Sequence, residues 1–167
     1  MYSKSKIPSM VTSLRFLSAP LFFYTFINGQ FPLYFLLALF AGATDIADGY
    51  LARKMNATSD LGAYLDVGAD FVLILFSFLA FILVGWYPWW VMGIAIFMFF
   101  LFIVTSGLKK PIYDPVGKYL GTYLMGMVIL SVLFPETFFR HILLVGLFFM
   151  ALTSIISRIL FFLGLDD

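Results

Sequence analysis

The chain has no cysteine and one histidine, His141. Disulfides, zinc–thiolate sites and iron–sulfur clusters are excluded, and so is any multi-histidine metal site. Charge is also scarce. Asp, Glu, Lys and Arg make up 11% of 167 residues, where a soluble domain carries about a quarter. Net charge is only +1, so no electrostatic signature of a nucleic-acid partner exists. No internal repeat, low-complexity segment or second domain interrupts the sequence, and a single domain over 1–167 is expected. The N-terminus lacks a small-residue cleavage site of the secretory type, so its first apolar stretch reads as a retained span.

Apolar sequence fills the rest: 63% of residues are hydrophobic and mean hydropathy is +1.04. A membrane-crossing helix needs about 20 mostly apolar residues. Six stretches approach or reach that length, near 7–27, 31–52, 61–84, 89–106, 116–134 and 138–163. The expected fold is all-α, an integral membrane bundle of six transmembrane helices. Asn28-Gly29, Gly85-Trp86-Tyr87-Pro88 and Pro135 mark turns on one side. Lys4, Lys6, Arg53, Lys54, Lys109, Lys110 and Lys118 fall on the other, against Arg140 alone. The positive-inside rule then puts both termini and the 53–60 loop in the cytoplasm. Trp86, Tyr87, Trp89 and Trp90 lie at the opposite boundary, where aromatic belts form. His141 falls on that side too and reads as interfacial.

Within this apolar sequence stand four aspartates, in the arrangement Asp45-x2-Asp48-Gly49-x2-Ala52-Arg53-x8-Gly62-x3-Asp66-x3-Asp70. A carboxylate at membrane depth is costly and persists only when paired, metal-bound or facing a wet cavity. At about 100° per residue, Asp45, Asp48, Gly49 and Ala52 share one face of the second helix. Gly62, Asp66 and Asp70 share one face of the third. Two antiparallel helices joined by a short loop bring these faces together, and four converging carboxylates repel one another unless cations neutralise them. One or two divalent ions resolve the conflict, and with only oxygen ligands these are magnesium, manganese or calcium. Gly49, Ala52 and Gly62 leave space beside the acids for a ligand, and Arg53 supplies a forked cation suited to phosphate. Metal, space and arginine together point to phosphoryl transfer. The competing structural readings are acids paired with Arg53 or Lys54, and glycines serving close helix packing.

The motif resembles that of the CDP-alcohol phosphatidyltransferase family at every specified position, D-x2-D-G-x2-A-R-x8-G-x3-D-x3-D against DIADGYLARKMNATSDLGAYLDVGAD. A weaker likeness lies in Ile7-Pro8-Ser9-Met10-Val11-Thr12-Ser13-Leu14-Arg15, where Ser9 replaces the usual asparagine. The six expected spans match the family's core. By this resemblance the donor is a CDP-linked lipid, the acceptor a small alcohol, and CMP the leaving group. The resemblance makes Asp45, Asp48, Asp66 and Asp70 ligands of two magnesium or manganese ions, with Asp70 also the catalytic base. It assigns Gly49, Ala52, Arg53 and Gly62 to the nucleotide. It also implies a homodimer.

Two cations outside the motif, Lys118 and Arg158, have two readings: snorkelling to lipid headgroups, or clamping an anionic acceptor. A Gly117-Lys118 pair is what family members with phosphorylated acceptors carry near this place, although Tyr119-Leu120-Gly121-Thr122 departs from their pattern. A phosphorylated acceptor, glycerol 3-phosphate or inositol phosphate, is therefore preferred. Phe71 stands where standard phosphatidylglycerophosphate synthases have lysine, and serine stays open as an acceptor. A prokaryotic plasma membrane is the expected location, with the active site facing the cytoplasm. The alternative from another class is a divalent-cation channel or carrier. It also needs intramembrane carboxylates, but not Gly49, Ala52, Arg53 and Gly62 at fixed spacing.

Overall fold

A computed structural model describes residues 18–40, 43, 60–106 and 119–162, with side chains described over 18–40, 43, 67–104 and 119–160. These residues form helices and turns and no strand. Six helices follow in order: α1 (Ser18–Ile27), α2 (Phe31–Phe40), α3 (Asp60–Leu83), α4 (Trp90–Ser106), α5 (Leu120–Leu133) and α6 (Thr137–Phe162). The chain divides into two compact units, Met1–Val84 and Gly85–Asp167.

In the first unit, α1 stops where Asn28-Gly29 interrupts the apolar run. Gly29 takes φ +69°, which glycine adopts without the cost a Cβ would add. Its N–H donates to Phe26 O at 3.0 Å, and Gln30 N–H donates to Thr25 O at 2.9 Å. This pair of bonds is the Schellman arrangement that satisfies the last carbonyls of a helix. The chain re-enters a helix at once, with Tyr34 N–H on Gln30 O. The tight turn packs aromatic rings edge to face: Phe22 on Tyr34 at 5.3 Å, Phe26 on Tyr34 at 5.1 Å and Phe26 on Phe81 of α3 at 4.7 Å. Edge-to-face geometry suits the ring quadrupoles and adds to the area they bury.

Helix α3 buries one face. Ala69, Leu73, Ile74, Ser77, Phe78, Ala80 and Phe81 are all buried. At about 100° per residue these positions centre on the line through Ser77 and Phe81. Gly85, at φ +78°, ends the run.

In the second unit each helix again buries a single stripe: Val91, Ala95 and Met98 on α4; Leu120, Leu124, Met127, Val128 and Ser131 on α5; Leu147, Ala151, Ser154 and Arg158 on α6. Helices α5 and α6 touch, and Gly146 leaves the space that the end of the Tyr123 ring fills. A Cβ at Gly146 would overlap the Tyr123 hydroxyl, which donates to Leu143 O at 2.8 Å. Gly146→Ala therefore drives the Tyr123 ring from its site. We expect a loss of about 1–3 kcal/mol, read as a lower melting temperature in detergent. Adding Tyr123→Leu should recover much of it, and additive losses in the double variant would contradict the contact.

At the 85–90 turn, Tyr87 is buried and its hydroxyl lies 2.7 Å from Ser131 Oγ. Burial raises the Tyr87 phenol above its ordinary pKa, against opposing pulls from the Ser131 hydrogen bond and the Arg140 charge. The Arg140 guanidinium sits 4.9 Å from the centre of the Trp86 ring and donates to Thr137 Oγ1 at 3.1 Å. His141 beside it is exposed.

Among the described residues one helical stretch, Thr137–Leu160, is long and apolar enough to cross a membrane, with mean hydropathy 2.2. Large apolar side chains are exposed on that stretch and on others: Trp89 is 77% exposed, Phe138 70% and Phe40 63%.

Candidate active site

The third helix positions the acids that can be placed. α3 runs unbroken from Asp60 to Leu83, so Gly62, Asp66 and Asp70 occupy successive turns of one helix, as their spacing predicts. Asp70 falls within about 40° of Ile74, Ser77 and Phe81 around the axis, all of them buried. It thus lies on the midline of the face that α3 turns toward the core of its unit, at the end where that face changes from apolar to acidic. Asp66 and Gly62 continue the same line by register. Asp70 itself is half-buried and engaged with a partner group of the protein. An unneutralised carboxylate on an inward face flanked by Ala69 and Leu73 is costly. Asp70 contributes one oxygen donor to that face, of the kind magnesium or manganese takes.

Asp45, Asp48, Gly49, Ala52, Arg53 and Lys118 lie outside the described residues, and of Gly62 and Asp66 only the helical backbone is described. Asp70 is the one aspartate of the motif whose side chain is described, and the described residues hold no group of three acids or histidines.

Arg158 is buried, at 8% exposure. It occupies the centre of α6's buried stripe, in line with Leu147, Ala151 and Ser154, and its Nη1 donates to Leu101 O of α4 at 3.1 Å. Within the chain it is not a cation extended outward to headgroups. Sequence reasoning missed its tie to α4 and the Tyr123–Gly146 contact. An apolar helix with no polar face carries little signal of which side is buried, and only the i, i+4, i+7, i+11 spacing of Leu147, Ala151, Ser154 and Arg158 marks one face.

The described residues thus place a half-buried Asp70 on α3 of the first unit and a buried Arg158 on α6 of the second. The chain matches the CDP-alcohol phosphatidyltransferase family over residues 5–163 and belongs to that family. It is an enzyme of phospholipid biosynthesis. Among relatives, it is 28% identical to the CDP-diacylglycerol–glycerol-3-phosphate 3-phosphatidyltransferase of Wigglesworthia glossinidia brevipalpis, over 90% of this chain and 88% of that protein. It is 36% identical to the enzyme of the same description from Haemophilus influenzae, over 64% of this chain and 59% of that protein. It is also 36% identical to a probable cardiolipin synthase (CMP-forming) of Drosophila melanogaster, over 54% of this chain but only 29% of that protein.

Proposed function

We propose that this chain transfers a phosphatidyl-type group from a CDP-linked lipid to a small phosphorylated alcohol, releasing CMP. The observation that carries the reading is Asp70 on the inward midline of α3, in register with Asp66, within an intact family motif. Asp45, Asp48, Asp66 and Asp70 are the residues to hold two magnesium or manganese ions. When bound, such ions offset the charge of the donor diphosphate. Gly49, Ala52 and Gly62 leave room for the nucleotide, and Arg53 meets its phosphates. The Asp70 carboxylate accepts the proton of the acceptor hydroxyl as that oxygen attacks the lipid-side phosphorus. The bond from that phosphorus to the bridging oxygen breaks, and CMP departs with the electron pair.

Lys118 and Arg158 are assigned to the acceptor's phosphate. Glycerol 3-phosphate is the first candidate, since two relatives are described as transferases to that acceptor. Phe71 in place of lysine is the feature that keeps inositol phosphate and serine in the comparison. Labelled CDP-diacylglycerol presented with each acceptor in turn, with CMP and lipid product both scored, tests the choice. Turnover with serine alone would overturn it. Arg158→Lys keeps the charge but loses the planar fork. It should raise the acceptor KM roughly tenfold while the donor KM stays near wild type. Equal changes in both, with a lower melting temperature, would mean that Arg158 only ties α6 to α4.

The same proposal places the chain as one six-span domain in a membrane, with the motif and both termini cytoplasmic, and as a homodimer. The charge distribution and the outward apolar side chains support the membrane placement. In a bacterial host, cysteines introduced at Ser3 and Asn56 should be shielded from an impermeant thiol reagent in intact cells, and one at Asn28 should be labelled. The opposite pattern would put the site on the other face.

A further inference from the structure

A tyrosine–serine pair is buried in each unit, and the two pairs are closed differently. In the second unit the Tyr87 hydroxyl lies 2.7 Å from Ser131 Oγ, and Ser131 in turn donates to Met127 O of its own helix. In the first unit Tyr34 of α2 and Ser77 of α3 are fully buried, and their hydroxyls stand beside each other. Yet neither Tyr34 Oη nor Ser77 Oγ meets a described group of the protein at hydrogen-bonding geometry. Ser77 also lacks the bond that Thr25 makes to Leu21 O at 2.9 Å and Thr153 to Phe149 O at 2.8 Å, each four residues back. The rings packed on Tyr34, those of Phe22, Phe26 and Phe81, carry no oxygen or nitrogen to help.

We propose that one water molecule is held between Tyr34 and Ser77, accepting from one hydroxyl and donating to the other. A buried hydroxyl without a partner is costly, and here two stand together in apolar surroundings. Each is both donor and acceptor. A direct bond between them would leave one hydroxyl proton unmet unless Ser77 also donated to Leu73 O, which is how Ser131 closes its own pair. Neither bond is made in the first unit. A water between the two oxygens meets both, and two polar partners suffice to hold it. Both residues are closed to solvent and neither carries a charge, which suits a neutral molecule of one oxygen rather than an ion. The bridge joins α2 to α3 two turns from Asp70 on the same inward face, and it stands independently of the reaction proposed above.

The test is a double-variant cycle on the full chain, read by SDS-induced unfolding, beside a crystal structure at a resolution that shows ordered water. Ser77→Ala and Tyr34→Phe each strand the water and the surviving hydroxyl. Each should raise the unfolding constant about five- to tenfold. The double variant should be no less stable than the weaker single, because both partners are then gone. Thr153→Ala removes an exposed hydroxyl bonded within its own helix and should add to either single without coupling. The structure should show one water peak at hydrogen-bonding distance from both Tyr34 Oη and Ser77 Oγ. A single variant more stable than wild type would mean that the hydroxyls are unbridged, and the proposal falls. Losses that add in the double variant would overturn it as well. So would a structure with no water peak at the pair, including one in which the two hydroxyls bond directly.

Discussion

Asp70→Asn should leave CDP-lipid binding and at least one metal in place and remove most turnover. The substitution keeps the side chain's size and one oxygen ligand but removes the group that takes the acceptor's proton. A general base is worth about 10²–10⁴-fold, and the loss should fall in that range, in kcat more than in donor KM. Asp66→Asn, one turn earlier on the same face, should instead weaken metal and donor binding together. The two variants thus separate proton transfer from ion holding, provided that metal titration accompanies the CMP assay. Near-normal turnover in Asp70→Asn would leave the face as an ion clamp, with water or substrate as the proton acceptor.

Metal removal should have the larger effect. The four carboxylates proposed to converge would repel one another without a cation, and a dianionic diphosphate would add to that repulsion. Excess EDTA should abolish CMP release, and magnesium or manganese should restore it. Calcium, with its longer and looser ligand sphere, should restore less. Full turnover in chelator, with no metal detected in the protein, would remove the ions from the reaction and leave the phosphates to the proposed cations Arg53, Arg158 and Lys118.

Much of the fold was legible because glycine and proline punctuate long apolar runs. Asn28-Gly29 was read as a break, and Gly29 turns there with a positive φ. The third, fourth and sixth stretches match Asp60–Leu83, Trp90–Ser106 and Thr137–Phe162 to within a residue or two. The fifth was read from near Val116, whereas α5 is described from Leu120, and 116–118 lie outside the described residues. Spacing alone put Gly62, Asp66 and Asp70 on one face, and α3 carries that register unbroken. The sequence did not disclose that this face is the buried one. An apolar helix in an apolar surround shows little contrast between its two sides, so Ser77 and Phe81 became informative only through their burial. Arg158 was ambiguous for the same reason, because a cation near a helix end reads equally as snorkelling or inward. Its contact with Leu101 depends on a packing of α4 against α6 that no local pattern encodes.

The central claim is that the motif aspartates serve transfer from a CDP-linked lipid rather than passage of a cation. One measurement separates the two most directly. Purified protein is given labelled CDP-diacylglycerol, magnesium and glycerol 3-phosphate, and CMP is followed with and without the acceptor. The same preparation in liposomes is assayed for divalent-cation flux. Transfer predicts acceptor-dependent CMP, a matching lipid product and no flux above that of empty liposomes. Flux that Asp66→Asn abolishes, with no CMP from any acceptor, would contradict the assignment and establish a cation pathway in its place.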